Sequence, residues 1–217
     1  MLQLNFQKAD RTPLRLLFLG AHCDDIEIGC GGTILKLLQN QPDAIVNWIV
    51  FSSNDVRRPE ALTAAQSFLR AAARPNIIVK DFRDGFFPYI GGEIKTFFEE
   101  TVKGLQPDIV FTHYRHDRHQ DHRVISELAW NTFRNHCVLE YEIPKYDGDL
   151  GQPNVFVHLD EPTCRLKVDQ TLASYVSQRE KRWFTEDTLF GLLRLRGMES
   201  ASPTKFAEAF YGHKIVI

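Results

Sequence analysis

Apolar residues along this chain gather into short unbroken runs, separated by stretches in which they return every three or four positions. The run at 15–20, Arg15-Leu16-Leu17-Phe18-Leu19-Gly20, is almost wholly apolar and stops at a glycine, as expected of a central strand buried on both faces. Gly31-Gly32-Thr33 then leads into Ile34, Leu35, Leu37 and Leu38, whose i, i+3, i+4 spacing predicts a short helix ending near Asn40-Gln41-Pro42. Strand, long turn and helix are expected in that order. The alternation continues with a strand over 45–51, an alanine-rich helix over 59–73 with proline at its start, and a strand over 76–79. A helix over 94–105, a buried strand over 107–112 and a helical pattern over 121–133 follow, the last with Val124, Ile125, Leu128 and Ala129 inward.

Strands that alternate with helices imply a mainly parallel central sheet covered on both sides, a three-layer Rossmann-like α/β fold. In such sheets ligands sit beyond the carboxyl ends of the strands. After Gly148 the pattern loosens into one strand at 154–158, a helical stretch around 171–184 and a segment at 202–210. Neither an internal repeat nor a low-complexity linker divides the sequence, so a single domain over 1–217 is expected.

Composition narrows the ligand. With 25% charged residues and a formal net charge of -2, the chain offers no electrostatic sheath for nucleic acid or an anionic membrane, and a small near-neutral ligand fits better. The N-terminus lacks the pattern of a signal peptide, and the apolar run at 14–19 is far shorter than the ~20 residues of a membrane helix. A cytoplasmic protein without membrane insertion is the expectation. Cys23, Cys30, Cys137 and Cys164 form no CxxC pair and read as free thiols.

Two short clusters carry the candidate chemistry. His22-Cys23-Asp24-Asp25 follows the first strand, and His119-Gln120-Asp121-His122 follows another buried strand and opens a helix. If that first helical turn forms, His119 and His122 share a face. Taken singly, Asp121 reads as a helix N-cap, and Arg118 and Arg123 as solvated charge. Together, imidazoles and a carboxylate supply three ligands for a borderline metal such as zinc and leave a fourth position for water, the arrangement of a catalytic site. Bound zinc lowers the pKa of water to about 7. One carboxylate and one imidazole remain for proton transfer and oxyanion stabilisation. Consecutive residues on a turn point different ways, so spacing alone does not say whether Asp24 or Asp25 is the ligand.

At these residues the sequence resembles the LmbE/PIG-L family of zinc-dependent deacetylases, whose AHPDD and HxDH motifs stand here as Ala21-His22-Cys23-Asp24-Asp25 and His119-Gln120-Asp121-His122. Gly29-Cys30-Gly31-Gly32 is similar to the family's glycine turn, Arg57 with Glu60 to its RxxE, and Ser177-Gln178 to its later SQ pair. The resemblance implies one zinc per chain held by His22, Asp25 and His122, with other divalent transition metals able to substitute. It further implies Asp24 as general base, His119 as a charged donor near the oxyanion, and Asp121 as the group that orients a neighbouring imidazole. Arg57 and Asp84 match positions that look like sugar contacts, although Asp84-Gly85 also reads as a turn. The implied reaction removes an N-acetyl group from an amino sugar or glycoconjugate, and the same analogy suggests a homo-oligomer.

Other readings come from position alone. Arg115 and Asp117, in the loop before His119, are further candidates for substrate contact, and Phe86, Phe87 and Tyr89 suit sugar faces or subunit contacts. Cys23 stands where the family usually has proline, which makes a less rigid turn and brings a thiol that can approach the metal. Near Tyr175 the histidine that often precedes SQ is missing. A nucleotide-binding redox protein is the main alternative, yet Gly29, Gly31 and Gly32 do not fit GxGxxG, and Phe51-Ser52-Ser53-Asn54 lacks the acidic residue that would hold a ribose. A non-catalytic zinc-binding subunit would have no need of Asp24 and His119.

Overall fold

The structure, a computed structural model, describes residues 3–6, 8, 10 and 12–216. Its elements run β1 (Arg15–Gly20), α1 (Asp25–Asn40), β2 (Ile45–Val50), α2 (Arg57–Phe68), β3 (Arg74–Val79), α3 (Gly91–Glu100), β4 (Ile109–His113) and α4 (Gln120–Thr132). They continue with β5 (Cys137–Tyr141), β6 (Val155–Leu159), α5 (Glu161–Ser174), α6 (Glu186–Glu199) and β7 (Phe206–Gly212). The seven strands form one sheet in the order β3-β2-β1-β4-β5-β7-β6. Strands β1 to β5 pair in parallel, and β7 runs antiparallel between β5 and β6.

Alternate residues of one strand feed opposite cores, which is why the central runs are apolar throughout. Leu16 and Phe18 of β1 join Trp48, Phe111 and residues of α1, α2, α5 and α6. Leu17 and Leu19 join Ile49, Val110 and residues of α3 and α4. Three layers result, as expected. After β1 the chain builds outward through β2 and β3, then returns to place β4 on the other flank of β1. The strand order therefore reverses between β1 and β4, and the crevice at their carboxyl ends is the natural ligand site.

The first helix departs from expectation. Gly29, Gly31 and Gly32 form no turn: α1 begins at Asp25 and contains all three. Each glycine marks a close approach, with an added Cβ falling 2.2 Å from the Tyr141 ring at Gly29 and 2.4 Å from Leu159 at Gly32. At Cys30 the backbone leaves helical geometry (φ -146°), and the buried Glu208 carboxylate accepts from the amides of Gly32 at 2.8 Å and Thr33 at 2.6 Å. Buried Lys167 pairs with that carboxylate and donates to the Ile28 carbonyl at 2.7 Å, so two amides and one carbonyl freed at the break find partners.

Elsewhere the boundaries shift. Residues 94–105 divide into α3 and a 3₁₀ turn at Val102–Leu105. The helix expected around 171–184 is replaced by α5 and α6, each started by a side-chain cap: Asp160 accepts from the Thr163 amide at 2.9 Å, and Thr185 from the Thr188 amide at 3.3 Å. Strands β5 and β7 carry buried Glu140 and Glu208, which interrupt the apolar runs that would have revealed them. Gly29→Ala should overpack the α1–β5 contact, costing about 1–3 kcal/mol and lowering the melting temperature by ~2–4 °C per kcal/mol. An unchanged thermal melt would contradict this packing.

Candidate metal centre

Strand β1 continues to Ala21, whose carbonyl accepts from the Ser52 amide at 2.8 Å and whose amide donates to His113 Nε2 at 2.9 Å. The chain then turns through His22 to Asp25, and the turn is closed by the His22 amide donating to Asp25 Oδ2 at 2.6 Å. On the far side of the crevice, His119 caps α4 and the first turn carries Asp121 and His122 inward. Two helix N-termini thereby bring both clusters to one point.

His22 Nδ1 lies 3.2 Å from His122 Nε2 and 3.4 Å from Asp25 Oδ2, and His122 Nε2 lies 3.5 Å from Asp25 Oδ1. Ligands about 2.0–2.2 Å from a tetrahedral zinc stand roughly 3.3–3.6 Å apart. The protons on the opposite nitrogens are spoken for. His22 Nε2 faces Asp121 Oδ2 at 3.2 Å and Asp84 Oδ1 at 3.1 Å, and His122 Nδ1 faces Asp117 Oδ2 at 2.9 Å. Carboxylates accept only, so these outer nitrogens carry hydrogen, and a cation entering between His22 Nδ1, His122 Nε2 and Asp25 would displace any proton held on His22 Nδ1. Two imidazole nitrogens and a carboxylate facing one another could hold a metal cation.

Where a cation would sit, the local field also favours a proton on His22. Burial opposes a charge on His22, but hydrogen bonds to Asp121, Asp25 and Asp84 outweigh it and raise its pKa well above the ordinary histidine value. Burial likewise opposes the charge on Asp25, yet the His122 and His113 imidazoles hold it well below the usual carboxylate range. His119 differs: burial and the His122 and His22 rings lower its pKa, which favours the neutral ring. Its Nδ1 accepts from the Asp121 amide at 3.3 Å, leaving the proton on Nε2. The lowered pKa favours a neutral N–H donor at His119, where the family resemblance implies a charged one.

The remaining candidates separate clearly. Asp24 is buried and accepts from Arg57 Nη2 at 2.7 Å. Asp84 is 66% exposed at the site mouth, its pKa lowered to about 2 chiefly by its hydrogen bond from His22. Arg57, Arg83, Asp81 and Asp84 line a cleft of about 230 Å³ that opens beside these groups. Asp121 is no N-cap, since its oxygens accept from the amides of Gly85 at 2.6 Å and Phe87 at 3.1 Å and from His22. Phe87 is buried, Phe86 lies under the Arg83 guanidinium, and Tyr89 is exposed.

Two candidate substrate contacts are engaged within the protein. Arg115 turns away, its guanidinium pairing with buried Glu140 at 2.9 Å and lying over the Trp130 ring. Asp117 is 2% exposed and spends its carboxylate on His122 and the His119 amide. The Cys23 thiol does not approach the donors either: it donates to the Ser52 carbonyl at 3.3 Å, and Tyr175 donates to the Cys23 carbonyl. Tyr175, at the departure near SQ, thus braces the turn that proline would otherwise stiffen. His113 was invisible as a functional residue, though its place at the end of β4 was a signal. It is fully buried, its Nε2 lies 3.3 Å from Asp25 Oδ2, and its ring stacks on His122 at 3.9 Å. The glycines of α1 are covered by Tyr141, Phe68 and Leu159, so no phosphate can lie against them and the dinucleotide alternative loses its site.

Fold and donors together define a Rossmann-like α/β protein with a candidate metal centre at the carboxyl edge of its sheet. Residues 17–133 match the family model described as PIG-L, GlcNAc-PI de-N-acetylase, and the chain belongs to that family of deacetylases. Solved structures agree on the fold. N,N'-diacetylchitobiose deacetylase from Pyrococcus horikoshii is 20% identical with a TM-score of 0.70, over 92% of this chain and 83% of that one. The zinc-inhibited form of teicoplanin deacetylase Orf2 is 17% identical with a TM-score of 0.67, over 91% and 97%. GalB, the 4-carboxy-2-hydroxymuconate hydratase from Pseudomonas putida, is 16% identical with a TM-score of 0.67, over 94% and 98%.

Among the described residues, no helix is long and apolar enough to cross a membrane. All four cysteines are free. Burial pushes the Cys23 and Cys164 thiols up to about 12 and Cys30 well above its ordinary value. Alkylation of native protein at pH 8 followed by peptide mapping should therefore label half-buried Cys137 slowly and spare the other three until denaturation. Rapid native labelling of Cys23 would contradict its placement.

Proposed function

We propose that this protein is a zinc-dependent deacetylase that hydrolyses the N-acetyl group of an amino sugar or sugar conjugate. The observation that carries this reading is the mutual approach of His22 Nδ1, Asp25 and His122 Nε2 within 3.2–3.5 Å, with their outer nitrogens already bonded to carboxylates. A zinc ion held by these three residues would polarise the acyl carbonyl and activate water near neutral pH.

The chain's own groups supply the rest. Asp24 is the general base, removing a proton from the attacking water and later delivering it to the leaving amine, and Arg57 fixes that carboxylate in place at 2.7 Å. His119, its proton directed to Nε2, donates to the oxygen that gains charge as the carbonyl is attacked. Asp121 orients His22 through Nε2. Arg57 and Asp84, on the walls of the adjoining cleft, are suited to sugar hydroxyls. A hydratase shares this fold, so the reaction is chosen here by the donor set, Asp24 and family membership together.

Metal analysis with an amine-release assay across N-acetylated sugars and sugar conjugates tests the reading. Zinc near one equivalent and release from at least one amino-sugar substrate are expected, whereas neither zinc nor release would overturn it. Asp24→Asn keeps the Arg57 contact and should retain zinc while kcat falls by about 10²–10⁴, and His22→Ala should lose both. Full turnover in Asp24→Asn would remove the assigned base.

A further inference from the structure

Asp117, the carboxylate behind His122, is shared. Its Oδ2 faces His122 Nδ1 at 2.9 Å and accepts from Lys145 Nζ at 2.9 Å, while Oδ1 accepts from the His119 amide at 2.7 Å. Lys145 is gripped in turn by Asp149 Oδ2 at 2.6 Å and donates to the Ile143 carbonyl at 3.3 Å, and Asp149 also accepts from the Arg118 amide at 2.7 Å. The Lys145 and Asp149 side chains are 10% and 6% exposed. Both stand on the loop after β5, beyond the 17–133 region that matches the family.

We propose that Lys145 is a positioning residue for the metal centre: its ammonium, clamped by Asp149, fixes the Asp117 carboxylate in the orientation that aims His122 Nε2 at the other donors. The inference rests on His122 being a zinc ligand. A carboxylate on the far nitrogen of a ligating imidazole sets its tautomer and ring angle, and losing such a partner costs about 10–100-fold in metal affinity. The His119 amide holds Asp117 Oδ1, and the ammonium holds Oδ2, the oxygen that faces His122. Without the ammonium, the Asp117 and Asp149 carboxylates that converge on it repel, and Oδ2 of Asp117 loses the donor that steadies it toward His122. The loop beside the site is thereby tied to the geometry of the metal ligands, through a lysine that touches neither metal nor substrate.

Zinc affinity measured by competition with a chromophoric chelator tests this on folded protein, checked by circular dichroism. Lys145→Met should bind zinc about 10-fold more weakly, and Lys145→Arg should recover affinity to within about 3-fold. Asp149→Asn, which leaves the lysine in place, should lose about 3-fold and carries the same test if Lys145→Met does not fold. In an Asp117→Asn background, Lys145→Met should cost nothing further. The proposal is overturned if wild type binds zinc while Lys145→Met and Asp149→Asn keep its affinity, or if the Lys145 and Asp117 losses multiply. A wild-type protein that binds no zinc would overturn the deacetylase reading first, and this inference with it.

Discussion

Two imidazole nitrogens and a carboxylate meet within 3.5 Å at the junction of α1 and α4, and they are held together only when a proton or a cation joins them. That constraint explains how the surrounding residues are used. Asp121 and Asp84 hold one face of His22, Asp117 holds the back of His122, and His113 packs flat against His122 while reaching Asp25. Each donor is thus fixed from behind, so converging side chains do not relax apart. Preorganisation of this kind keeps a metal site from losing affinity to side-chain reorientation.

The same turn is supported from deeper in the fold. Tyr175 donates to the Cys23 carbonyl and lies 2.6 Å from Glu27 Oε1. Burial, with the nearby Asp24 and Asp25 charges, raises the Glu27 pKa well above the ordinary value, which disfavours a further negative charge beside them. One turn later Glu208 and Lys167 take up the amides and carbonyl freed where α1 breaks at Cys30. The break lets the helix pass Tyr141, whose hydroxyl donates to the Leu19 carbonyl at 2.6 Å and ties β5 to β1 beneath the site. Local irregularities in the helix and rigidity at the metal donors are parts of one arrangement.

The alternating sheet, its two-sided core and the approach of the two histidine clusters were legible in the sequence, because continuous apolar runs and strand-end histidines are local signals, whereas the choice of Asp25 over Asp24 comes only from the family resemblance. Less was legible where a polar residue is buried for a partner far along the chain. Glu140 and Glu208 hid β5 and β7, and the glycines of α1 read as a turn because the rings they accommodate come from β5 and α2. Arg115 and Asp117 sat in the right loop, but spacing does not reveal that Glu140 claims one and His122 the other. Lys145 carried no local signal at all, since its meaning depends on a carboxylate 28 positions earlier. Nor was the conformation of loop 82–89 legible, since its exposed Tyr89 and Arg83-covered Phe86 follow no periodic pattern.

The central claim is the identity of the donors, and zinc K-edge X-ray absorption on the zinc-loaded protein measures it directly. Two imidazole nitrogens and a carboxylate oxygen should produce a nitrogen/oxygen shell at about 2.0–2.2 Å, with imidazole multiple scattering and no sulfur. A sulfur shell near ~2.3 Å would place a cysteine in the coordination sphere, and a spectrum without imidazole scattering would remove His22 and His122 from it; either result would contradict the site described.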